Sequence, residues 1–340
     1  MDISLFDYNL PPELIAQQPR YPRDHSRLLV YDRQANKIRH DKFINLDKYL
    51  KPNDILVFND TKVFPARLIG HKQTGGKMEV FLLRNLDSYK WQVLIGGKVR
   101  RDGMVINFSQ GLQARVIEKM TDGVWQVRFN KPKNKLLKIA ETIGQTPTPP
   151  YVKKKASLKD YQTTYASKVG SVAAPTAGFH FTKRLLQKLE KKGIQKEYVT
   201  LHVGYGTFQP VKEKDITKHQ IHEEMAEVSV PVMRRLYKAK KEGRRIIAVG
   251  TTSVRVLESI FKNKKPIQLK HFKGWLDIFI YPGYKFKFVD AMITNFHLPQ
   301  STLLMLVSAF VGRETALKIY KQAVRLKYRF YSFGDGMFLY

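Results

Sequence analysis

The chain has 340 residues, 43% hydrophobic and 26% charged, an ordinary balance for a folded protein long enough for two domains. It has no cysteine, which excludes disulfides, thiolate zinc sites, Cys-ligated iron–sulfur clusters and a Cys nucleophile. Sixty Lys and Arg against 29 Asp and Glu give a net charge of +31, which favours encounter with polyanions such as nucleic acid, although a lineage bias toward lysine explains the excess equally well.

No run approaches the ~18 apolar residues of a membrane span. The opening Met-Asp-Ile-Ser-Leu-Phe-Asp-Tyr lacks the basic-then-apolar pattern of a signal peptide, so a cytoplasmic location is expected.

Residues 11–18 predict a short helix opened by proline, and Arg23, Asp24 and Arg27 lead into a strand at Leu28–Tyr31. A helix is expected at 45–50 and a buried strand at Asp54–Phe58. That strand ends in Asn59-Asp60-Thr61-Lys62, a polar cluster where open α/β sheets bind ligands. Val63–His71, Met78–Leu83, Trp91–Ile95, Met104–Phe108, Leu112–Glu118 and Val124–Phe129 then read as short strands punctuated by glycine turns, the signature of a small antiparallel barrel or sandwich. A helix is expected at 134–144, and Thr146-Pro-Thr-Pro-Pro-Tyr151 marks a boundary.

Beyond it, helices (183–192, 231–242, 252–262, 302–311, 314–327) alternate with strands at Tyr198–Val203, Met225–Val230, Arg245–Val249, Leu276–Ile280 and Ala291–Thr294. The expectation is a discontinuous α/β sandwich domain, residues 1–62 and 151–340, carrying a small inserted antiparallel β-barrel domain at 63–150.

Six stretches carry candidate chemistry. Val169–Thr182 is rich in small residues (Gly170, Ser171, Ala173, Ala174, Ala177, Gly178), with Thr176 and His180 among them. It suits close approach of a ligand to the backbone, or equally a tight packing turn, and Thr176 or Thr182 can cap the helix that follows. His202-Val-Gly204-Tyr-Gly206-Thr207-Phe208 holds two glycines after a strand, without the third glycine of a dinucleotide fingerprint. His219-x-x-His222-Glu223-Glu224 is not the zinc-helix motif. Metal ligation, proton transfer and a surface cluster all stay open for it. Gly250-Thr251-Thr252-Ser253-Val254-Arg255 follows an apolar strand and opens a helix, a clamp for a polar ligand or a plain helix start; it lacks the Gly-Lys pair of a phosphate loop. Asp277–Gly283 and Thr294–Thr302, with His297, end strands in polar or Gly/Pro turns.

These motifs, in order, resemble the S-adenosylmethionine:tRNA ribosyltransferase-isomerase family along essentially the whole chain. The resemblance rests on Leu10–Gln17, Arg23-Asp24-x-Ser26-Arg27-Leu28-Leu29, Phe58-Asn59-Asp60-Thr61, Pro65-Ala66-Arg67-Leu68 and Gly75-Gly76-Lys77. It continues through Tyr161-Gln162-Thr163, residues 170–182, Leu201-His202-Val203-Gly204, residues 250–255, Asp277–Gly283, Thr294–Leu304, Tyr328-Arg329-Phe330 and Gly334-Asp335. Lys62, Thr148, Ile221, Glu223 and Leu276 depart from the pattern, and Leu276 stands where a threonine is expected.

The resemblance implies queuosine biosynthesis: transfer and isomerisation of the ribosyl moiety of S-adenosylmethionine to 7-aminomethyl-7-deazaguanine at the wobble position of tRNA. Epoxyqueuosine-tRNA forms, and adenine and methionine leave. It implies S-adenosylmethionine as a consumed co-substrate, no metal, tRNA as partner through its anticodon loop, and a monomer. The chemistry asks for proton transfers, so the catalytic candidates are His180, His202, His222, Glu224, Asp277 and His297. Candidates to hold the co-substrate are Ser171, Thr176, Gly178, Gly204, Gly206, Thr251, Thr252, Ser253 and Arg255. Arg67, Arg255 and Arg329 are expected to meet phosphates or the methionine carboxylate. Two other readings stand beside this one, an S-adenosylmethionine-dependent RNA methyltransferase and a structured-RNA-binding protein without catalysis.

Overall fold

The computed structural model describes residues 1–97, 99, 102–154, 156–204, 206, 211, 213–261 and 270–340. In chain order, β1 (Arg27–Asp32), β2 (Lys37–Lys42), β3 (Ile55–Asn59) and the short β4 (Thr61–Val63) come first. Next are β5 (Arg67–Lys72), β6 (Lys77–Asn85), β7 (Lys90–Gly96), β8 (Val105–Asn107), β9 (Gln113–Lys119), β10 (Val124–Phe129) and helix α1 (Lys133–Ile143). The rest is β11 (Lys168–Ser171), α2 (Lys183–Lys191), β12 (Gln195–Leu201), β13 (Glu224–Val228), α3 (Val230–Lys241), β14 (Ile246–Val249) and α4 (Thr251–Ile260), then β15 (Phe272–Leu276), β16 (Ala291–Asn295), α5 (Thr302–Val311), α6 (Arg313–Arg325) and β17 (Gly336–Leu339).

Among the described residues, nine strands join in one sheet of order β15-β13-β12-β3-β14-β16-β17-β1-β2. Its centre, β12-β3-β14-β16, is parallel, and the pairs at both edges are antiparallel. Strands covered on both faces must be apolar throughout, and β3, β14 and β16 are buried at every position. Alternation divides their side chains between two cores. Ile55 and Val57 face the layer that includes α3, α4, α5 and α6, and Leu56 and Phe58 face the layer of α2 and the Phe43–Tyr49 turn.

The strands from β5 to β10 close a barrel of order β10-β7-β6-β5-β8-β9. Its interior holds Leu68, Val80, Leu82, Val93, Val116 and Val127, and α1 adds Leu136 and Ala140 to the same core. The fold is thus mixed α/β with a closed antiparallel barrel, the barrel strands lying between β3 and β12 in the chain. The chain leaves the sheet along β4 and comes back along β11, and these two crossings pair in parallel, Thr61 beside Lys168.

Most predicted elements fall within a few residues of those observed. The strand expected at Val63–His71 splits, because Pro65 interrupts it: Thr61–Val63 pairs with the return crossing and Arg67–Lys72 enters the barrel. Residues 11–18 form only a 3-10 turn, Pro12–Leu14, because the Leu14 carbonyl accepts from Phe330 N and Ala16 N donates to the Phe330 carbonyl instead. The strand expected at Leu276–Ile280 lies earlier, at Phe272–Leu276. Pairing stops where β13 begins, at Glu224 opposite Leu276, and Ile280 turns into the core. Tyr205, Thr207 and Phe208 of the glycine stretch, and residue 262 at the end of one predicted helix, lie outside the described residues.

Candidate active site

A cleft of about 1100 Å³ opens between the barrel and one end of the sheet. The barrel side supplies Phe64, Arg84, Trp91, Lys133 and Leu137, and the crossing β11 supplies Lys168, Val169 and Gly170. The sheet side supplies His202, Gly204, Gly206, the segment from Lys218 to Glu224, Arg255 and Trp275. Arg84 stacks on Trp275 at 3.6 Å from the ring centre, joining barrel to sheet beside the cleft.

Glu224, the first residue of β13, is buried and accepts from Gly204 N at 3.0 Å and from the guanidinium of Arg255. Arg255 also donates to the Ile278 carbonyl at 3.3 Å. Helix α4 and strand β13 thereby fix one wall. His222, two residues before Glu224, is exposed at the rim. A Cβ on Gly206 would overlap its imidazole, so this glycine is what lets the loop lie against His222. His219 pairs with Glu213 at 2.7 Å.

His202 follows β12. Its Nδ1 lies 2.8 Å from Thr61 Oγ1, and its burial holds the imidazole pKa below the ordinary value. Glu213, Glu223, Glu224 and Glu227 put carboxylates around the cleft, while Lys133, Lys168, Lys218 and Lys273 put ammonium groups there. A compact cation and a polyanion can both find complementary charge at this site. Among the described residues no three His, Asp or Glu side chains are grouped as a metal site requires.

The sequence matches the family described as queuosine biosynthesis protein over residues 3–339. The chain belongs to that family.

Curated relatives named S-adenosylmethionine:tRNA ribosyltransferase-isomerase agree along the full length. The protein of Aquifex aeolicus is 48% identical over 344 residues and that of Carboxydothermus hydrogenoformans 50% over 343, with 100% of both chains covered in each case. Among solved structures, the S-adenosylmethionine tRNA ribosyltransferase of Thermotoga maritima superposes with a TM-score of 0.58 at 38% identity, covering 99% of this chain and 100% of that one.

Within this queuosine-family fold, His202, Gly204, Gly206, His222, Glu224 and Arg255 come together in the cleft. The other candidates lie elsewhere. His180 is buried, stacks on Phe43 and has both ring nitrogens engaged, Nδ1 with Ser26 at 2.7 Å and Nε2 with Asn295 at 3.3 Å. His297 is buried between Thr294 and Tyr320. Burial pushes both imidazoles down to about 3. Asp277 is exposed just past β15 and outside the cleft lining.

Ser171 braces the chain by accepting from Val203 N at 2.8 Å and donating to the Ala173 carbonyl at 2.7 Å. Thr176 reaches Asn295 at 3.3 Å, and Gly178 leaves room for the Tyr165 hydroxyl. Thr251 is buried at the start of α4, Thr252 accepts from Asn59 at 3.3 Å, and Ser253 donates to the Val249 carbonyl at 2.8 Å. Arg67 pairs with Glu79 in the barrel and Arg329 donates to the Gln18 carbonyl, both away from the cleft. Leu276, in the place expected for threonine, is the cross-strand partner of Glu224.

Residue-by-residue reading had no reason to select Arg84, Trp275 or Lys133 for the cleft. Thr61 did stand in a polar strand end, the signal that points to it.

Proposed function

We propose that this chain transfers and isomerises the ribosyl moiety of S-adenosylmethionine to 7-aminomethyl-7-deazaguanine at the wobble position of tRNA, giving epoxyqueuosine-tRNA with release of adenine and methionine. Within this reading the co-substrate lies in the cleft, and the anticodon loop approaches over its lysines. The protein acts as a monomer in the cytoplasm.

The observation that carries the reading is one cleft with three imidazoles, His202, His219 and His222, and several carboxylates between walls that also bear lysines. The sulfonium makes the neighbouring C5′ hydrogen acidic, and a positioned base removes it to form an ylide. His222, at the rim of a cleft that glutamates also line, is assigned that task, since a neutral imidazole accepts a proton near neutral pH. The carboxylates favour the cationic sulfonium by charge. Gly204, where a side chain would meet nothing within 4 Å, leaves backbone open for close approach of the amino-acid part. No step calls for a thiol.

Product analysis tests the reading. Incubation with S-adenosylmethionine and tRNA carrying 7-aminomethyl-7-deazaguanine should release adenine and methionine in equal amounts. S-adenosylhomocysteine as product would overturn it in favour of methyl transfer, and absence of turnover in favour of a binding protein.

A further inference from the structure

His202 stands where the crossings between sheet and barrel meet, in a frame set by one buried side chain. Asn59 accepts from Thr61 N at 3.1 Å and from Leu201 N at 3.0 Å, and donates to the Leu201 carbonyl at 2.9 Å. It therefore holds Thr61 and the residue before His202 in a common register. The backbone N–H of His202 donates to the Met225 carbonyl at 2.8 Å. On the other side the ring lies against Gly170. A Cβ there would be 2.7 Å from Cε1 and 2.8 Å from both ring nitrogens, so any side chain would displace the imidazole.

The Thr61 hydroxyl has one proton to give. Its acceptors are His202 Nδ1 at 2.8 Å and the Lys168 carbonyl at 3.5 Å. A 2.8 Å separation fits donation in either direction, but donation by Nδ1 would leave the hydroxyl proton only the carbonyl at the 3.5 Å limit, so the hydroxyl is assigned as donor to Nδ1. A neutral imidazole carries a single N–H, which then resides on Nε2. That nitrogen has no hydrogen-bond partner among the described residues, and His202 lines the cleft. Burial disfavours the charged form of the ring.

We infer that Thr61 fixes His202 as an Nε2–H donor into the cleft, and that its acceptor is a ring nitrogen of the purine that departs from the co-substrate. The inference rests on the function proposed above. That reaction sets three proton-linked tasks: loss of the C5′ proton and loss of a proton from the attacking aminomethyl group need an acceptor, which an Nε2–H group is not, and departure of the purine is the third. The third needs a donor. When the bond between sugar and purine breaks, its electron pair stays with the purine, the Nε2–H hydrogen-bonds the developing charge, and the proton that completes neutral adenine is taken from water, offset by the protons lost at C5′ and at the amine. Thr61 and Gly170 are positioning residues; His202 is the group that touches the substrate.

Two measurements test this. Nitrogen-15 NMR of the free protein, with His202→Phe used for assignment, should show Nε2 of His202 protonated and Nδ1 bare. Thr61→Ser should keep that signature and Thr61→Val should lose it. Protonation of Nδ1 in the unaltered protein, or an unchanged signature in Thr61→Val, overturns the assignment whatever the reaction proves to be.

In turnover, His202→Phe should lower kcat by ~10²–10³-fold, the effect of losing one donor to developing charge, with KM for S-adenosylmethionine within a few fold. Thr61→Val should lower kcat in the same direction, and Thr61→Ser should restore most of it. Co-substrates with CH in place of N1, N3 or N7 identify the acceptor. One of them should cost the unaltered enzyme about what His202→Phe costs, and cost His202→Phe nothing more. An equal penalty of His202→Phe with every analogue would overturn the purine as acceptor. Failure of the unaltered protein to release adenine would instead overturn the proposed function and leave the tautomer result standing.

Discussion

Arg255 and Glu224 pair inside the wall of the cleft with only 6% and 4% of their surfaces exposed, so neither charge reaches open solvent. Desolvating two charges is costly, and such a pair is chiefly a constraint: removing one partner leaves the other buried and uncompensated. Arg255→Met should therefore destabilise the fold by about 3–5 kcal/mol in chemical denaturation. The double variant Arg255→Met with Glu224→Gln should regain most of that loss, because glutamine can still accept from Gly204 N. Additive losses in the double variant would show that the two groups are not coupled.

His180 and His297 set a pH dependence of stability. Both are held down to about 3 by burial, whereas an unfolded histidine titrates near ~6.5. Between those values the unfolded chain binds more protons, so stability rises with pH across the window. The contribution is complete above pH ~6.5 and is lost progressively as pH falls toward 3. Each histidine adds a slope of about 1.4 kcal/mol per pH unit well inside the window. Denaturation midpoints measured from pH 6 to 4.5 should fall on acidification, and His297→Phe should remove about 1.4 kcal/mol per pH unit from the slope. An unchanged slope in that variant would mean that His297 is already protonated in the folded protein.

The same two histidines explain how far the site could be read from residues alone. In the chain, His180 and His297 look as available as His202, since each sits among small or hydroxylated residues. What distinguishes them is partners far off in sequence: Ser26 and Asn295 for His180, Tyr320 for His297. The central strands were legible because burial on both faces demands unbroken apolar runs such as Ile55–Asn59. The edge strand Lys37–Lys42 was not, because half-exposed positions carry Lys, Arg and Asp with no clear alternation. Gly336–Leu339 is too short to announce itself. The cleft draws on both barrel and sheet, and no local pattern encodes that Arg84 meets Trp275.

The boundaries at residues 63 and 150 predict that the barrel is a folding unit. Its core is built from its own strands and α1, with Phe64, Ala66 and Val172 at the margin. A fragment of residues 63–150 should show strand-type circular dichroism and a cooperative thermal transition. A non-cooperative, unstructured fragment would place the boundary elsewhere.

If the lysines of the cleft meet RNA phosphates, tRNA affinity should fall steeply with salt, with a log–log slope of about 0.7 for each single-strand phosphate neutralised. Lys168 and Lys273 are exposed beside the cleft. Changing both to alanine should reduce the slope by about 1.4 while S-adenosylmethionine affinity stays within a few fold. An unchanged slope would move the RNA to another face.

The base assignment makes the sharpest claim about turnover. His222 is exposed at the rim, held against Gly206 and two residues from the buried Glu224. It shares the cleft with Gly170 of the β11 crossing, so a co-substrate lying between them can present C5′ to the imidazole. Loss of a general base typically lowers rate by ~10²–10⁴-fold while binding is largely kept. His222→Ala should show that loss in turnover, with affinity for S-adenosylmethionine within a few fold. It should also suppress loss of deuterium from C5′-labelled co-substrate in the presence of RNA, whereas His202→Phe should leave that exchange in place because its group donates rather than accepts. Gly206→Ala should mimic His222→Ala in part, since the added methyl displaces the ring. Normal turnover and exchange in His222→Ala would remove it as the base, and the acceptor for the C5′ proton would then have to be sought among the carboxylates Glu213, Glu223 and Glu227 that line the same cleft.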